Sequence, residues 1–170
     1  MNEPKPKPLP HAKDFMTSHV EVVTPDMSLL EVIRFLLKHQ ISNAPVVDIR
    51  DEKHFLVGFI SERDCMSALS NEMFFGNPSP AQCAKTIMSS HPICISPDTE
   101  LFAIVSIFTS HNVRHLPVVQ DGVLMGIVSR RDILKAMETF YEHLVHESDH
   151  DRQLRDTTQI MNLRFTIDRT

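Results

Sequence analysis

The stretch Asn112-Val113-Arg114-His115-Leu116-Pro117-Val118-Val119, followed by Met125-Gly126-Ile127-Val128-Ser129-Arg130-Arg131-Asp132, decides how the rest of the chain is read. It has the pattern of a strand, a short turn, a second strand, and a helix opened by a hydroxyl and a carboxylate three residues apart. The first half of the chain repeats it as Gln40-Ile41-Ser42-Asn43-Ala44-Pro45-Val46-Val47 and Val57-Gly58-Phe59-Ile60-Ser61-Glu62-Arg63-Asp64. One unit is written twice, and a site is expected where the copies meet.

The repeat extends outward in both directions. At an offset of 72 (84 minus 12), Ala12-Lys13 falls on Ala84-Lys85, Met16 on Met88, Pro25-Asp26 on Pro97-Asp98, and Pro45-Val46-Val47 on Pro117-Val118-Val119. Beyond that the offset is 68 (126 minus 58), aligning Gly58, Ser61 and Asp64 with Gly126, Ser129 and Asp132. The difference of four residues falls between Asp48 and Leu56 and is expected in a surface hairpin loop, where insertion costs little.

Each copy predicts the same elements. In the first, Val20–Val23 is extended, Thr24-Pro25-Asp26 turns, and Ser28 with Glu31 caps a helix carrying Leu29, Leu30, Ile33, Leu36 and Leu37. Strands follow over Ile41–Val47 and Leu56–Ile60, with Asp51-Glu52-Lys53 at the hairpin tip and a helix from Ser61. In the second, Ile93–Ile95 is extended, and Leu101, Ile104, Val105 and Phe108 face inward from a helix. Strands over Val113–Val119 and Leu124–Val128 flank an Asp121-Gly122 turn, and a helix runs from about Arg130 through Leu144. The organisation is a lead-in over 1–10, copies over 11–70 and 83–140, a linker over 71–82, and a helix end and tail over 141–170. Gly76-Asn77-Pro78-Ser79-Pro80 marks the linker as loop. A copy of this size buries too small a core to stand comfortably alone, so the two are expected to share one.

Composition excludes several functions. The net charge of −5 provides no basic field for nucleic acid, and no apolar run approaches the ~18 residues of a membrane span. The Pro-rich start lacks the apolar core of a signal peptide, so a cytoplasmic location is expected. Cys65, Cys83 and Cys94 contain no Cys-x-x-Cys pair, arguing against a disulfide framework or a thiolate zinc site.

The Met before a short strand, the Thr/Ser-Pro-Asp turn, the strand ending in Pro-Val-Val and the Gly-apolar-apolar-Ser-x-x-Asp run resemble the CBS domain. Two in tandem resemble a Bateman module, over about Ala12 to Ala136. The resemblance implies an α+β fold of two β-α-β-β-α repeats packed with pseudo-twofold symmetry through their sheets. It also implies a cleft for AMP, ADP, ATP or S-adenosylmethionine, a regulatory role, and a homodimer. No catalytic residues or required cofactor are expected.

Ser61/Asp64 and Ser129/Asp132 read by themselves as helix caps. By resemblance, the Asp accepts hydrogen bonds from ribose hydroxyls, for which a carboxylate with two acceptor oxygens is suited. Ser42, Asn43, Arg114 and His115 are then expected to approach phosphate, with Arg130 and Arg131 adding charge. Ile41 and Val113 would wall the base. The carry-over groups Asp132 with Thr17, Val20 and Ser42, and Asp64 with Ser89, Pro92 and Arg114. His143, His146 and His150 form a weaker metal-binding candidate at helical spacing, and the tail from Asp149, with Ile160, Met161, Leu163, Phe165 and Ile167, either packs on a partner or stays disordered. The rival readings are a dimerisation module with empty clefts and a metal-binding protein. An unidentified regulated protein is the expected listener; nucleic acid is not expected as a partner.

Overall fold

The two Ser-Asp boxes, the Ser28–Glu31 box and the two hairpin turns set the frame in a computed structural model that describes residues 8–76 and 81–145. Helix α1 is Ala12–Phe15 and α2 is Leu29–His39. Strands β1 (Asn43–Arg50) and β2 (Lys53–Ser61) form a hairpin that runs into α3 (Glu62–Phe75). The second copy gives α4 (Ala84–Ile87), α5 (Leu101–Ser110), β3 (His115–Gln120) and β4 (Val123–Ser129). Residues 130–145 are helical and are called α6.

The Ser28 hydroxyl accepts from Glu31 N while the Glu31 carboxylate accepts from Ser28 N at 2.8 Å, so two orphan amides of α2 are satisfied reciprocally. Helix α2 ends where Gln40 enters the left-handed region (φ 54°). Both hairpins close through two residues at positive φ, Asp51 and Glu52 in one and Asp121 and Gly122 in the other, the turn geometry whose twist matches the flanking strands. The four extra residues of copy one therefore lengthen its strands, pairing Ile49 with His54 and Arg50 with Lys53, rather than enlarging a loop. Lys53, placed at the tip by sequence, is the first residue of β2.

The four strands form one antiparallel sheet in the order β1-β2-β4-β3. The hairpins join only near their tips, where Phe55 pairs with Val123 and Leu56 N donates to Gly122 O at 3.0 Å. The extended stretches before α2 and α5 are shorter than expected: Val23 alone bridges Val46, and Ile95 alone bridges Val118, both in parallel.

Helices α1 and α4 were not foreseen, and they exchange places. Ala12 N and Lys13 N of copy one donate to Thr99 O and Pro97 O of copy two; Ala84 N and Lys85 N donate to Met27 O and Pro25 O of copy one. Lys13 Nζ lies 2.6 Å from Asp98 Oδ1. Ala84 sits fully buried in the core of copy one with Val23, Val32, Val46, Ile60 and Cys65. The expected sharing of core is thus carried in part by these exchanged segments.

Helix α3 runs five residues into the stretch read as linker, through Asn71–Phe75, because no Gly or Pro interrupts it before Gly76. The thiol of Cys65 is pushed up to about 11 by burial, so it behaves as a core residue rather than a nucleophile. His146, His150 and the tail from Asp149 lie outside the described residues, as do residues 1–7 of the lead-in.

Candidate functional site

The junction between the copies is built by two short backbone pairings. Thr17 N donates to Ile127 O at 2.9 Å and Ile127 N returns the bond at 3.0 Å, laying the segment after α1 against β4. Ser89 and Phe59 exchange the same pair of bonds at 2.9 Å in the other half. Each segment lies across a glycine, Gly126 or Gly58, where a side chain would meet Met16 or Met88. That is the physical reason for glycine in both copies of the motif.

Beside the Thr17–Ile127 pair is a cavity of about 330 Å³. Of the residues named from sequence, Thr17, Val20, Ile41, Ser42, Asn43 and His115 line it together. Sequence reasoning missed His19, Glu21, Gln40, Pro45 and Ile127. Pro45 lies in the repeated motif and was within reach of the reading; Ile127 needed the exchange of α1 to be known. Glu21 is held by His39, whose Nδ1 lies 3.2 Å from Glu21 Oε1.

Asn43 and His115 occupy equivalent positions, 72 residues apart, and meet: Asn43 Nδ2 donates to His115 Nδ1 at 2.7 Å. In the neutral tautomer that accepts this bond the ring proton sits on Nε2. Burial lowers the His115 pKa; Asp132 opposes that shift, while Arg114 and Arg130 add to it. The unfolded chain binds this proton near ~6.5, above the folded value, so it holds more protons in between. Stability is therefore full above the ordinary histidine range and falls as pH drops toward the folded pKa. Urea unfolding at pH 7.5 and 5.5 should show a smaller loss in His115→Gln than in the unaltered protein.

Both Ser-Asp boxes are helix caps. Asp132 Oδ2 accepts from Ser129 N at 2.8 Å and Ser129 Oγ at 2.6 Å. Asp64 Oδ2 accepts from Ser61 N and Oγ at 2.9 and 2.6 Å. Among the described residues no hydrogen bond reaches Oδ1 of either, so each carboxylate serves the cap with one oxygen and keeps the other open. Both side chains are half-buried. Asp132 faces His115 electrostatically without lining the cavity itself.

The remaining named residues stand apart from this cavity. Arg130 donates through Nε and Nη2 to Val113 O at 3.0 and 2.7 Å. Arg114 and Arg131 are exposed, and Pro92 is half-buried, its carbonyl accepting from the Cys94 thiol at 3.3 Å. Among the described residues no cluster of His, Cys, Asp and Glu could hold a metal ion, and no helix is long and apolar enough to cross a membrane.

The CBS domain family matches residues 12–71 and 84–139. The chain belongs to the CBS-domain family. Its tandem CBS architecture is shared with solved CBS pairs. The structure of CBSX2 from Arabidopsis thaliana in complex with AMP is similar at 27% identity, TM-score 0.67, covering 77% of this chain and 98% of that one. The CBS pair of protein MJ0100, in complex with 5′-methylthioadenosine and S-adenosyl-L-methionine, is similar at 25% identity, TM-score 0.63, covering 78% and 98%. A zinc metalloprotease of Methanocaldococcus jannaschii is 35% identical over 126 residues, but these are 74% of this chain and only 32% of the protease. A segment similar to this chain thus also occurs as one part of a longer protein.

Proposed function

We propose that this CBS pair is a regulatory sensor of an adenosine-containing ligand (AMP, ADP, ATP or S-adenosylmethionine), acting in the cytoplasm without catalysis of its own. The observation that carries the reading is the cavity between the copies, with apolar Ile41 and Ile127 and polar Ser42, Asn43 and His115, on the last of which Asp132 acts electrostatically from outside the lining. Its 330 Å³ lies within the range of small-ligand sites, roughly 300–1,000 Å³. The AMP and S-adenosylmethionine complexes of similar CBS pairs support the ligand class.

Asp132 Oδ1 has lone pairs for the vicinal ribose hydroxyls, while Oδ2 holds the helix start. Ligand bound across the junction favours one relative arrangement of the copies, and a partner protein reads that arrangement. The test is thermal unfolding of nucleotide-free protein against each ligand. At 100 times its dissociation constant a ligand stabilises by ~2.7 kcal/mol, which moves the midpoint by roughly 5–11 °C for a chain of this size.

Asp132→Asn keeps an acceptor for the cap but offers the diol a donor amide on the other side. It should weaken binding about tenfold to a hundredfold, the loss of one or two hydrogen bonds to a charged group, with little change in the unliganded midpoint. No shift with any ligand would favour a dimerisation module with empty clefts.

The family resemblance also supports a homodimer. Leu37 and Met66, 68% and 65% exposed, flank an apolar groove between α2 and α3, a surface that a second copy would cover. Sedimentation velocity should show dimer that Leu37→Asp converts to monomer; an unaltered monomer across concentrations would end this part of the reading.

A further inference from the structure

We propose that the two clefts are not equivalent: the one at Val113 and Arg114 takes an anionic nucleotide, and the one at Thr17, Glu21 and Ser42 takes an adenosyl ligand without net negative charge at its 5′ position, such as a thioether or sulfonium. This rests on the adenosine reading above. The Thr17–Ile127 and Ser89–Phe59 pairings show that the two halves are built alike. By that likeness we assign Val113, Arg114 and Ser89 to a second cleft, as Ile41, Ser42 and Thr17 line the first.

The chemistry at equivalent positions differs. Ser42 of the first cleft is replaced by Arg114 in the second, and Glu21 is replaced by Ile93. Among the described residues no Lys or Arg lines the first cavity, while Glu21 does. The contact over Val113 adds to the difference. The Arg130 guanidinium donates twice to the Val113 carbonyl, which brings a second cation to that wall. Its counterpart is Glu62, whose side chain lines the groove between α2 and α3 instead. Arg63 and Arg131 are equivalents and add the same charge to each half, so they do not reduce the contrast.

A phosphate in the first cleft would face the Glu21 carboxylate, whose partner is the His39 imidazole, with no Lys or Arg in the lining, Arg114 and Arg130 acting there only on His115; in the second it would meet Arg114 and Arg130 directly. A thioether or sulfonium in the first cleft is not repelled, and a positive sulfonium is attracted by Glu21 and Asp132.

Isothermal titration of the full chain, freed of nucleotide, with AMP and 5′-methylthioadenosine tests this. One AMP per chain is expected, with methylthioadenosine still binding to AMP-saturated protein. Arg114→Ser should weaken AMP at least tenfold and leave methylthioadenosine within about twofold. The double variant Glu21→Ile/Ser42→Arg, which gives the first cleft the residues of the second, should gain a second AMP site. Two equivalent AMP sites in the unaltered protein, or AMP binding indifferent to Arg114→Ser, would overturn the inference and leave the sensor reading standing. No heat with either ligand, from protein that melts cooperatively, would overturn both.

Discussion

Gly126→Val is expected to lower stability by about 3 kcal/mol, near the upper end for overpacking a tight site, and the melting midpoint by roughly 6–12 °C. A Cβ at this position would stand 2.8 Å from both Met16 Sδ and Thr17 O, and 3.0 Å from Met16 Cγ. The thioether can swing aside. The carbonyl cannot, because Thr17 is paired in both directions with Ile127. Space sets this cost: among the glycines only Gly76 and Gly122 lie at positive φ. Thr17 also walls the cavity, so the variant should lose ligand affinity along with stability. Thermal unfolding with and without ligand reads both, and a midpoint within a degree of the unaltered protein would contradict the close approach described here.

Ile60→Ala should cost about 3–4 kcal/mol, the lost transfer energy plus the void left behind. Ile60 is among the largest fully buried side chains, and it packs with Val46, Cys65 and the exchanged Ala84. Ile49→Ala, on the partner strand of the same hairpin but 52% exposed, should stay within ~0.5 kcal/mol. Urea unfolding distinguishes the two. Because α4 belongs to the core of copy one and α1 docks on copy two, both copies should unfold in one transition. A separate, unperturbed transition for copy two in Ile60→Ala would show that the exchanged segments contribute little.

Much of the frame is legible in local sequence chemistry. The Ser28–Glu31 box, the Asp121-Gly122 turn, the Pro-Val-Val strands and the start of α6 each rest on side chains acting within four residues of one another. The strands begin at Asn43 and His115, two residues later than read, because Ile41 N turns back to Leu36 O at 3.1 Å and Arg114 lies in a bend. Ile41 and Ser42, left out of the ladder, line the cavity instead. The exchange of α1 and α4 is invisible to periodicity: each is a four-residue helix whose partners lie far along the chain. With it went Ile127, and the pairing of Asn43 with His115. The two readings of Asp64 and Asp132, helix cap and ribose acceptor, were both legible; the cap is observed, and it occupies one carboxylate oxygen of each.

The exchange also means that the repeat in the sequence and the repeat in space are cut at different seams. A fragment ending near residue 71 carries α1, which belongs against Pro97 and Thr99, and lacks α4, which fills its own core. A self-sufficient first half should instead begin after Thr17 and run through Ser89. During synthesis, residues 10–17 emerge well before β4 and must wait, undocked, until β4 has been made. A segment made before both hairpins is thus placed only after them, and it closes the very cavity in which we place the ligand.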